Sequence, residues 1–205
     1  DVCSSDLPFG DLPPGDADSA GILIGQPIRF ADIPQAKPTR TRLAINVRAD
    51  ETATVEIEHE GLARYEWQRM LASAETPRQR RYRLESFVND ILPGSELISC
   101  DLEPAIRLDI RYGGGMLRLS EYLTNPFIPS ERKHPVRVSD GRRSDFEYRI
   151  TFENKELENV QWSRTAPTHA AALTASGNRV DFQFIMEPAP TVEPADYQRI
   201  RADLY

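Results

Sequence analysis

The chain has 205 residues, of which 40% are hydrophobic and 28% charged, a composition that is ordinary for a globular protein with a buried core. Its formal net charge of -7 argues against a general nucleic-acid surface, which normally carries a clustered basic excess. Charged residues interrupt every apolar segment well before the roughly 20 residues that a membrane-spanning helix needs. The sequence therefore predicts neither nucleic-acid binding nor a membrane span.

The first seven residues, D-V-C-S-S-D-L, fit neither a signal peptide nor the elements that follow. They resemble the translated end of a common sequencing adapter, so we interpret residues 1–7 as an artefact and exclude them from the predicted fold. Setting Cys3 aside leaves one cysteine, Cys100. A single cysteine cannot form a disulfide within the chain, and it argues against a cysteine-based metal site.

Residues 8–38 are rich in proline and glycine, so turns should dominate there, with one short strand at residues 22–24. We interpret this segment as the terminal strands of a preceding domain or as a linker, and residues 39–205 as a separate β-rich domain. From residue 40 the pattern changes to strict alternation, first over residues 42–48 and then over residues 52–60. This period predicts a hairpin with one buried and one solvated face.

Two helices are predicted next, the first over residues 62–73. The second has clear signals at its start, because Thr76 can act as N-cap, Pro77 suits the first helical position and Gln79 completes a capping box. Its buried stripe should contain the apolar residues at helical spacing, which are Leu84, Phe87, Val88 and Ile91. The Pro93-Gly94 pair predicts the end of this helix.

Alternation then resumes in short strands on both sides of a proline-rich crossing at residues 125–135. The predicted strands lie near residues 98–102, 106–112, 116–123, 146–152, 160–164, 169–174 and 180–186, and a final helix should begin near Pro194. This order predicts an α+β fold, mainly β, with an antiparallel, β-sandwich-like sheet, a two-helix insertion and a short C-terminal helix. Whether the later strands form a sheet of their own is left open.

Candidate reactive residues are few. Cys100 lies in an alternating apolar segment, so we predict a buried structural thiol and not a nucleophile. The histidines have no short ligand spacing, which argues against a metal site. We predict a structural role at a sheet edge for His59, and loop-positioning roles for His134 and His169.

Other clusters also have structural interpretations. The basic cluster on the second helix is predicted to be a solvated face and not a phosphate site, and it comprises Arg78, Arg80, Arg81 and Arg83. Glu56, Glu58 and Glu60 are predicted to give solubility and edge protection. Trp67 and Trp162 are assigned to the core, and the Gly113–Gly115 run lacks the strand-to-helix context of a phosphate-binding loop. No catalytic, metal-binding or cofactor-binding residue is predicted.

Several segments together resemble the C-terminal part of bacterial transglutaminase-like proteins. They are P-F-G-D-L-P-P at residues 8–14, G-I-L-I at residues 21–24, R-K-H-P-V at residues 132–136, F-E-Y-R-I at residues 146–150 and P-A-D-Y-Q-R-I-R at residues 194–201. The resemblance covers most of residues 8–205, although its motifs consist of turn residues and alternating apolar residues.

The resemblance implies a β-rich domain of unknown function that follows a papain-like core with a Cys, His and Asp triad, in an exported periplasmic or cell-envelope protein. All three triad positions would precede this chain, and Asp1 belongs to the adapter-like segment. We therefore expect a non-catalytic accessory domain that packs on that core and supports it. The alternative is an independent envelope module that binds a protein or glycan, through its sheet or through the crossing near Phe127 and His134.

Overall fold

The structure is a computed structural model, and it describes residues 20–23, 29–32, 38–102, 105–115, 136–137, 143–166, 169–187 and 191–197. The adapter-like residues 1–7 and the crossing at residues 125–135 lie outside the described residues, as does the strand expected at residues 116–123. The helices are α1 (Leu62–Ala72) and α2 (Pro77–Ile91), and residues 194–197 form a further helical turn.

The described strands fall into one large sheet and two short pairs. They are β1 (Ala20–Leu23), β2 (Arg29–Asp32), β3 (Thr39–Val47), β4 (Thr52–Glu60), β5 (Glu96–Asp101), β6 (Ile106–Arg111), β7 (Val136–Arg137), β8 (Ser144–Phe152), β9 (Leu157–Ala166), β10 (His169–Gly177), β11 (Arg179–Met186) and β12 (Thr191–Val192). The large sheet has the order β5-β6-β4-β3-β8-β11-β10-β9, while β1 pairs with β2 and β7 with β12. The predicted α+β fold, mainly β, is confirmed.

Strands β3 and β4 form the predicted hairpin, in which Leu43 faces Ile57 and Ile45 faces Val55. These side chains are buried, and the residues between them point to the opposite, solvated face.

We call the two surfaces of the large sheet the apolar face and the open face. Helix α1 packs against β4 and β3, and α2 against β5, so the helices cover one half of the apolar face.

The helix predictions are confirmed at both ends of α2. Thr76 Oγ1 accepts a hydrogen bond from the Gln79 N–H, and the Gln79 side chain accepts one from the Thr76 N–H, which completes the capping box. The apolar stripe buries Leu84, Val88 and Ile91 on the sheet. The helix ends before Pro93-Gly94, where Gly94 has φ of 82°.

One parallel pairing joins the two halves of the large sheet. Strand β3 pairs in parallel with β8, so that Leu43 faces Tyr148 and Ile45 faces Ile150, and every other neighbouring pair is antiparallel. A parallel pair needs a crossover, because its strands run in the same direction. The later strands therefore continue the first sheet and do not form a separate one.

The glycine run after β6 has a packing role. A Cβ atom added to Gly113 would lie 2.0 Å from the Gly94 carbonyl oxygen, and one on Gly115 would lie 2.1 Å from the Pro93 carbonyl oxygen. The Gly113 N–H also donates a hydrogen bond to Ser95 Oγ at 3.0 Å. The run thus lets the chain after β6 pass closely beside the loop that ends α2.

Candidate functional site

His59 lies near the end of β4 and packs into the core. Its Nδ1 is 2.9 Å from Thr41 Oγ1, and the centroid of its ring is 5.2 Å from that of Trp67. Burial lowers the pKa of His59 below its ordinary value. The structural role is consistent with these contacts, and the predicted sheet-edge position stays a prediction, because the pairing of β4 with β6 ends at Ile57, two residues before His59.

His169 is the first residue of β10 and is buried, with its ring centroid 5.7 Å from that of Phe184. Burial lowers the pKa of His169, and the positive charge of Arg164 lowers it further. The predicted loop role is therefore wrong for His169, which faces the core from a strand. His134 and Phe127 lie outside the described residues.

Cys100 is exposed, so the predicted buried thiol is wrong. A bulge in β5 separates Cys100 from Ile98: Leu97 faces Ile110 and Ser99 faces Asp109, which leaves Ile98 as an extra residue that is 50% exposed. Beyond the bulge Cys100 faces Leu108. It opens into a cleft of 280 Å³ between β5 and the start of α2, which also contains Thr76, Pro77 and Arg80.

The basic cluster of α2 is only partly a solvated face. Arg81 pairs with Glu85 at 2.7 Å and donates a hydrogen bond to the Leu97 carbonyl oxygen at 2.9 Å. Arg83 donates hydrogen bonds to the carbonyl oxygens of Met70 and Ser73 at the end of α1. Arg83 thus satisfies helix-terminal carbonyl groups, which otherwise have no partner within their own helix.

The two tryptophans differ in their burial. Trp67 is buried in edge-to-face contact with Phe87, at 4.9 Å between ring centroids, so its assignment to the core is confirmed. Trp162 is 37% exposed on β9, so its assignment to the core is wrong. The local pattern around Trp162 does not indicate the order of the strands, so it cannot predict that β9 lies at an end of the sheet.

The open face carries a lattice of ion pairs that crosses four strands. Arg42 of β3 contacts Glu147 of β8 at 3.0 Å and Glu58 of β4 at 3.4 Å. In the next row, Arg149 of β8 contacts Asp181 of β11 at 2.8 Å. Glu58 lies just beyond Ile57, where the pairing of β4 with β6 ends, so its predicted role in edge protection stays a prediction.

These contacts shift the pKa values of Arg42 and Asp181. Glu147 raises the pKa of the Arg42 guanidinium, and hydrogen bonds to Glu147 and Glu58 add to this effect. Partial burial opposes ionisation of Asp181, but hydrogen bonds from Arg179 and Arg149 outweigh it and lower the Asp181 pKa. The contacts of Arg42 and Asp181 thus favour the ionised form of each side chain.

A trough of 530 Å³ lies at the centre of this lattice, and we call it the open-face trough. Small side chains at Ala44 and Ala172 lie among longer charged ones, which gives room above the sheet. The charged side chains that line the trough are Arg42, Glu56, Glu58, Glu147, Arg149 and Asp181. The trough thus carries four carboxylates and two guanidinium groups.

Most residues of the open-face trough were not identified as a group from the sequence. Four of these residues occupy polar positions of alternating strands, and this alternation is the signal that the sequence offers for their place on the open face: Arg42, Glu147, Arg149 and Asp181. Their proximity depends on the parallel register of β3 with β8 and the antiparallel register of β8 with β11. Hydropathy patterns reveal the face of a residue but not its neighbours on other strands.

Among the described residues, no group of three His, Cys, Asp or Glu side chains is arranged to hold a metal ion. Within the same residues, no helix combines the length and apolar character needed to cross a bilayer. Comparison with known proteins finds no matching family model, curated protein or solved structure. The fold and site thus define an α+β protein, mainly β, with a solvated, ion-paired sheet face.

Proposed function

We propose that this chain is a non-catalytic accessory module of a bacterial transglutaminase-like protein, in which it packs on a papain-like core and supports it. The observation that carries the proposal is the open face, where a preformed lattice surrounds a trough of 530 Å³. The sequence resemblance supplies the identity of the partner and the periplasmic or cell-envelope location. The core itself would be encoded before residue 8.

The open face suits a polar interface for a physical reason. Binding costs conformational entropy when long side chains become ordered, and this cost is smaller when they are already held in place. Arg42 and Arg149 are each tied to a carboxylate on a neighbouring strand before any partner arrives. By contrast, His59 and His169 are packed against aromatic rings, so their geometry favours a structural role over proton transfer.

The first experiment is to read the genomic DNA across the junction before Pro8 with long reads. We expect the reading frame to continue upstream into a papain-like core with Cys, His and Asp. If a genuine start codon precedes an intact D-V-C-S-S-D-L segment, the accessory-module proposal fails.

The whole reading frame would then be expressed, and its thiol-dependent amide hydrolysis or transamidation measured. Arg149→Glu should reduce the activity or thermal stability of the core, because it reverses a charge in the open-face trough. Arg111→Glu is the matched control, since Arg111 pairs with Glu96 at 3.2 Å outside the trough and should leave the core unchanged. Equal effects of both variants would contradict a contact through the trough.

An activity of this chain itself would overturn the proposal. Purified residues 8–205 would be assayed for amide hydrolysis and transamidation, together with the Cys100→Ala variant. We expect no thiol-dependent turnover in either protein. Turnover that is lost in Cys100→Ala would identify Cys100 as a nucleophile in the 280 Å³ cleft.

The open-face trough also favours a second candidate, an independent envelope module that binds a glycan or protein. This candidate expects residues 38–205 to fold alone and to be retained saturably on immobilised peptidoglycan, with weaker retention of Glu147→Arg. The variant reverses a charge that pairs with Arg42 in the trough. A domain that folds only beside the core would count against this candidate.

A further inference from the structure

Strand β9 ends the large sheet and, among the described strands, pairs on one side only, with β10. Alternate N–H and C=O groups along the other side of an end strand are available to another strand. Natural sheet edges are commonly protected by short length, charged side chains, proline or a β-bulge. Strand β9 is ten residues long and contains neither lysine nor proline, and its bulge lies near its start, which leaves the segment from Val160 onward in regular pairing with β10.

The same strand exposes apolar area. Four large apolar side chains of the described residues are exposed, and two of them, Val160 at 46% and Trp162 at 37%, belong to β9. Val160 faces Ala175 and Trp162 faces Leu173, so both side chains lie on the apolar face of the sheet at its outer margin. An additional strand beside β9 would extend that face and cover both side chains.

The sequence of β9 is complementary to itself when two copies run antiparallel about Gln161. In that register Val160 lies opposite Trp162 of the second copy, and this apolar pair occurs twice because the axis is twofold. On the open face, Asn159 lies opposite Ser163, and Gln161 opposite itself, so uncharged polar groups meet one another. An antiparallel partner of this kind needs no change in the fold.

The charges of β9 are compatible with the same register. Leu157 faces Gly177 and Val160 faces Ala175, so Glu158 and Asn159 together lie opposite Ser176 in a bulge. Arg164 would come opposite this bulged segment of the second copy, which carries Glu158. The charged groups nearest each other across the axis would thus have opposite signs, and no like charges would face each other.

We propose that β9 is the interface of a symmetric homodimer, in which two copies pair antiparallel about Gln161 and join their large sheets into one continuous sheet. The partner is a second copy of this chain, because the apolar, polar and charged positions of β9 each match when the strand is paired with itself. The interface involves the sheet end, and it leaves the open-face trough available for the function proposed above.

Sedimentation equilibrium of the 205-residue chain, from about 1 μM to about 1 mM, tests the association. The mass should rise with concentration from 23.2 kDa towards twice that value. Val160→Glu and Trp162→Lys should each raise the dimer dissociation constant at least about tenfold, because each places a charge opposite an apolar side chain twice. Ile98→Lys is the control, since Ile98 is equally exposed but lies on β5 at the other end of the sheet.

Mixing the two charged variants, Val160→Glu and Trp162→Lys, tests the register. In a mixed dimer the introduced glutamate lies opposite the introduced lysine at one of the two symmetric contacts, and the other contact keeps the native pair of Val160 with Trp162. Dimers should therefore reappear when the two variants are combined.

Failure of the mixture to associate would overturn the register, and a monomer at every concentration would overturn the dimer. Association that is abolished by Ile98→Lys and unaffected by Val160→Glu would assign the contact to β5 instead.

Disulfide formation gives an independent measurement of the axis. With Cys3 and Cys100 replaced by serine, Gln161→Cys should cross-link two copies on mild oxidation, because directly opposed residues have Cα atoms about 4.5–5.5 Å apart. Ser163→Cys should not, since the two copies of residue 163 would be about 13 Å apart or more along the strands. Preferential cross-linking through residue 163 would contradict the proposed axis.

Discussion

The half-buried His59 and the buried His169 each exchange hydration for contact with an aromatic ring. His59 packs against Trp67, and His169 against Phe184. Burial lowers the pKa of each imidazole, and Arg164 adds to this effect at His169. Both rings are therefore neutral in the folded protein at neutral pH, and acid must charge them inside the packed structure.

This predicts a loss of stability in mild acid. Because the folded-state pKa of His59 lies below its unfolded value of about 6.5, the unfolded chain binds more protons between the two values. The stabilisation is complete above the unfolded pKa and is lost as the pH falls towards the folded pKa. The free energy of unfolding from urea titrations should therefore decrease from pH 7.5 to pH 5.5.

Replacing the imidazole should reduce this pH dependence. His59→Phe keeps a ring beside Trp67 and removes one titrating group, so its unfolding free energy should fall less steeply over the same interval. His169→Phe should remove the second contribution. An unchanged slope in the double variant would show that other groups cause the acid sensitivity.

The exposure of Cys100 leads to a second prediction at this scale. In a Cys3→Ser background, an aromatic disulfide reagent should modify Cys100 in the native protein, without denaturant. Cys100→Ser should change the unfolding free energy by less than about 0.5 kcal/mol, because an exposed side chain contributes little packing. Leu97→Ala, three residues earlier and buried, should cost about 2–5 kcal/mol. A thiol that reacts only after unfolding would contradict the placement of β5.

At the scale of elements, α2 and β5 show where local signals succeed and where they fail. The start of α2 depends on contacts within three residues, so Thr76, Pro77 and Gln79 predict it correctly. The bulge at Ile98 depends on how β5 pairs with β6, and alternation alone places Ile98 on the wrong face. Local chemistry thus predicts a helix boundary, whereas an irregularity in a strand can be predicted only from its pairing with the neighbouring strand.

At the scale of elements, we predict that loss of the capping box of α2 destabilises the protein. Thr76→Ala removes the oxygen that accepts the Gln79 N–H hydrogen bond and should lower the unfolding free energy by about 1 kcal/mol. Ser86→Ala is the control, because Ser86 is exposed inside the same helix and alanine favours helix. Chemical denaturation would compare the two. An equal effect of both substitutions would show that the cap does not contribute.

For the whole molecule, the sequence predicts the layers but not the arrangement of strands within them. Alternation at Leu43 and Ile45 assigns both side chains to the buried face, as the structure has them. It does not reveal that Leu43 faces Tyr148, because that contact joins distant parts of the chain. The open-face trough depends on the same pairing, so its charged residues are predicted singly and not as a site.

The parallel pairing of β3 with β8 should also make the large sheet unfold as one unit. The side chains of Leu43, Ile45, Tyr148 and Ile150 at this junction are all at most 2% exposed, and they belong to one core. Ile150→Ala removes buried atoms between the two halves and should cost about 2–5 kcal/mol. Because both halves share these contacts, the loss should affect strands on either side of β8.

Hydrogen exchange in mild denaturant measures this coupling. Ile150→Ala should accelerate amide exchange in β4 and in β11 by similar factors, because each strand is one position from the β3–β8 pair. Leu173→Ala in β10 is the control, since this side chain is half-buried and two strands away from β8, and it should cause a smaller change. Faster exchange in β11 with unchanged exchange in β4 would show instead that the halves unfold separately.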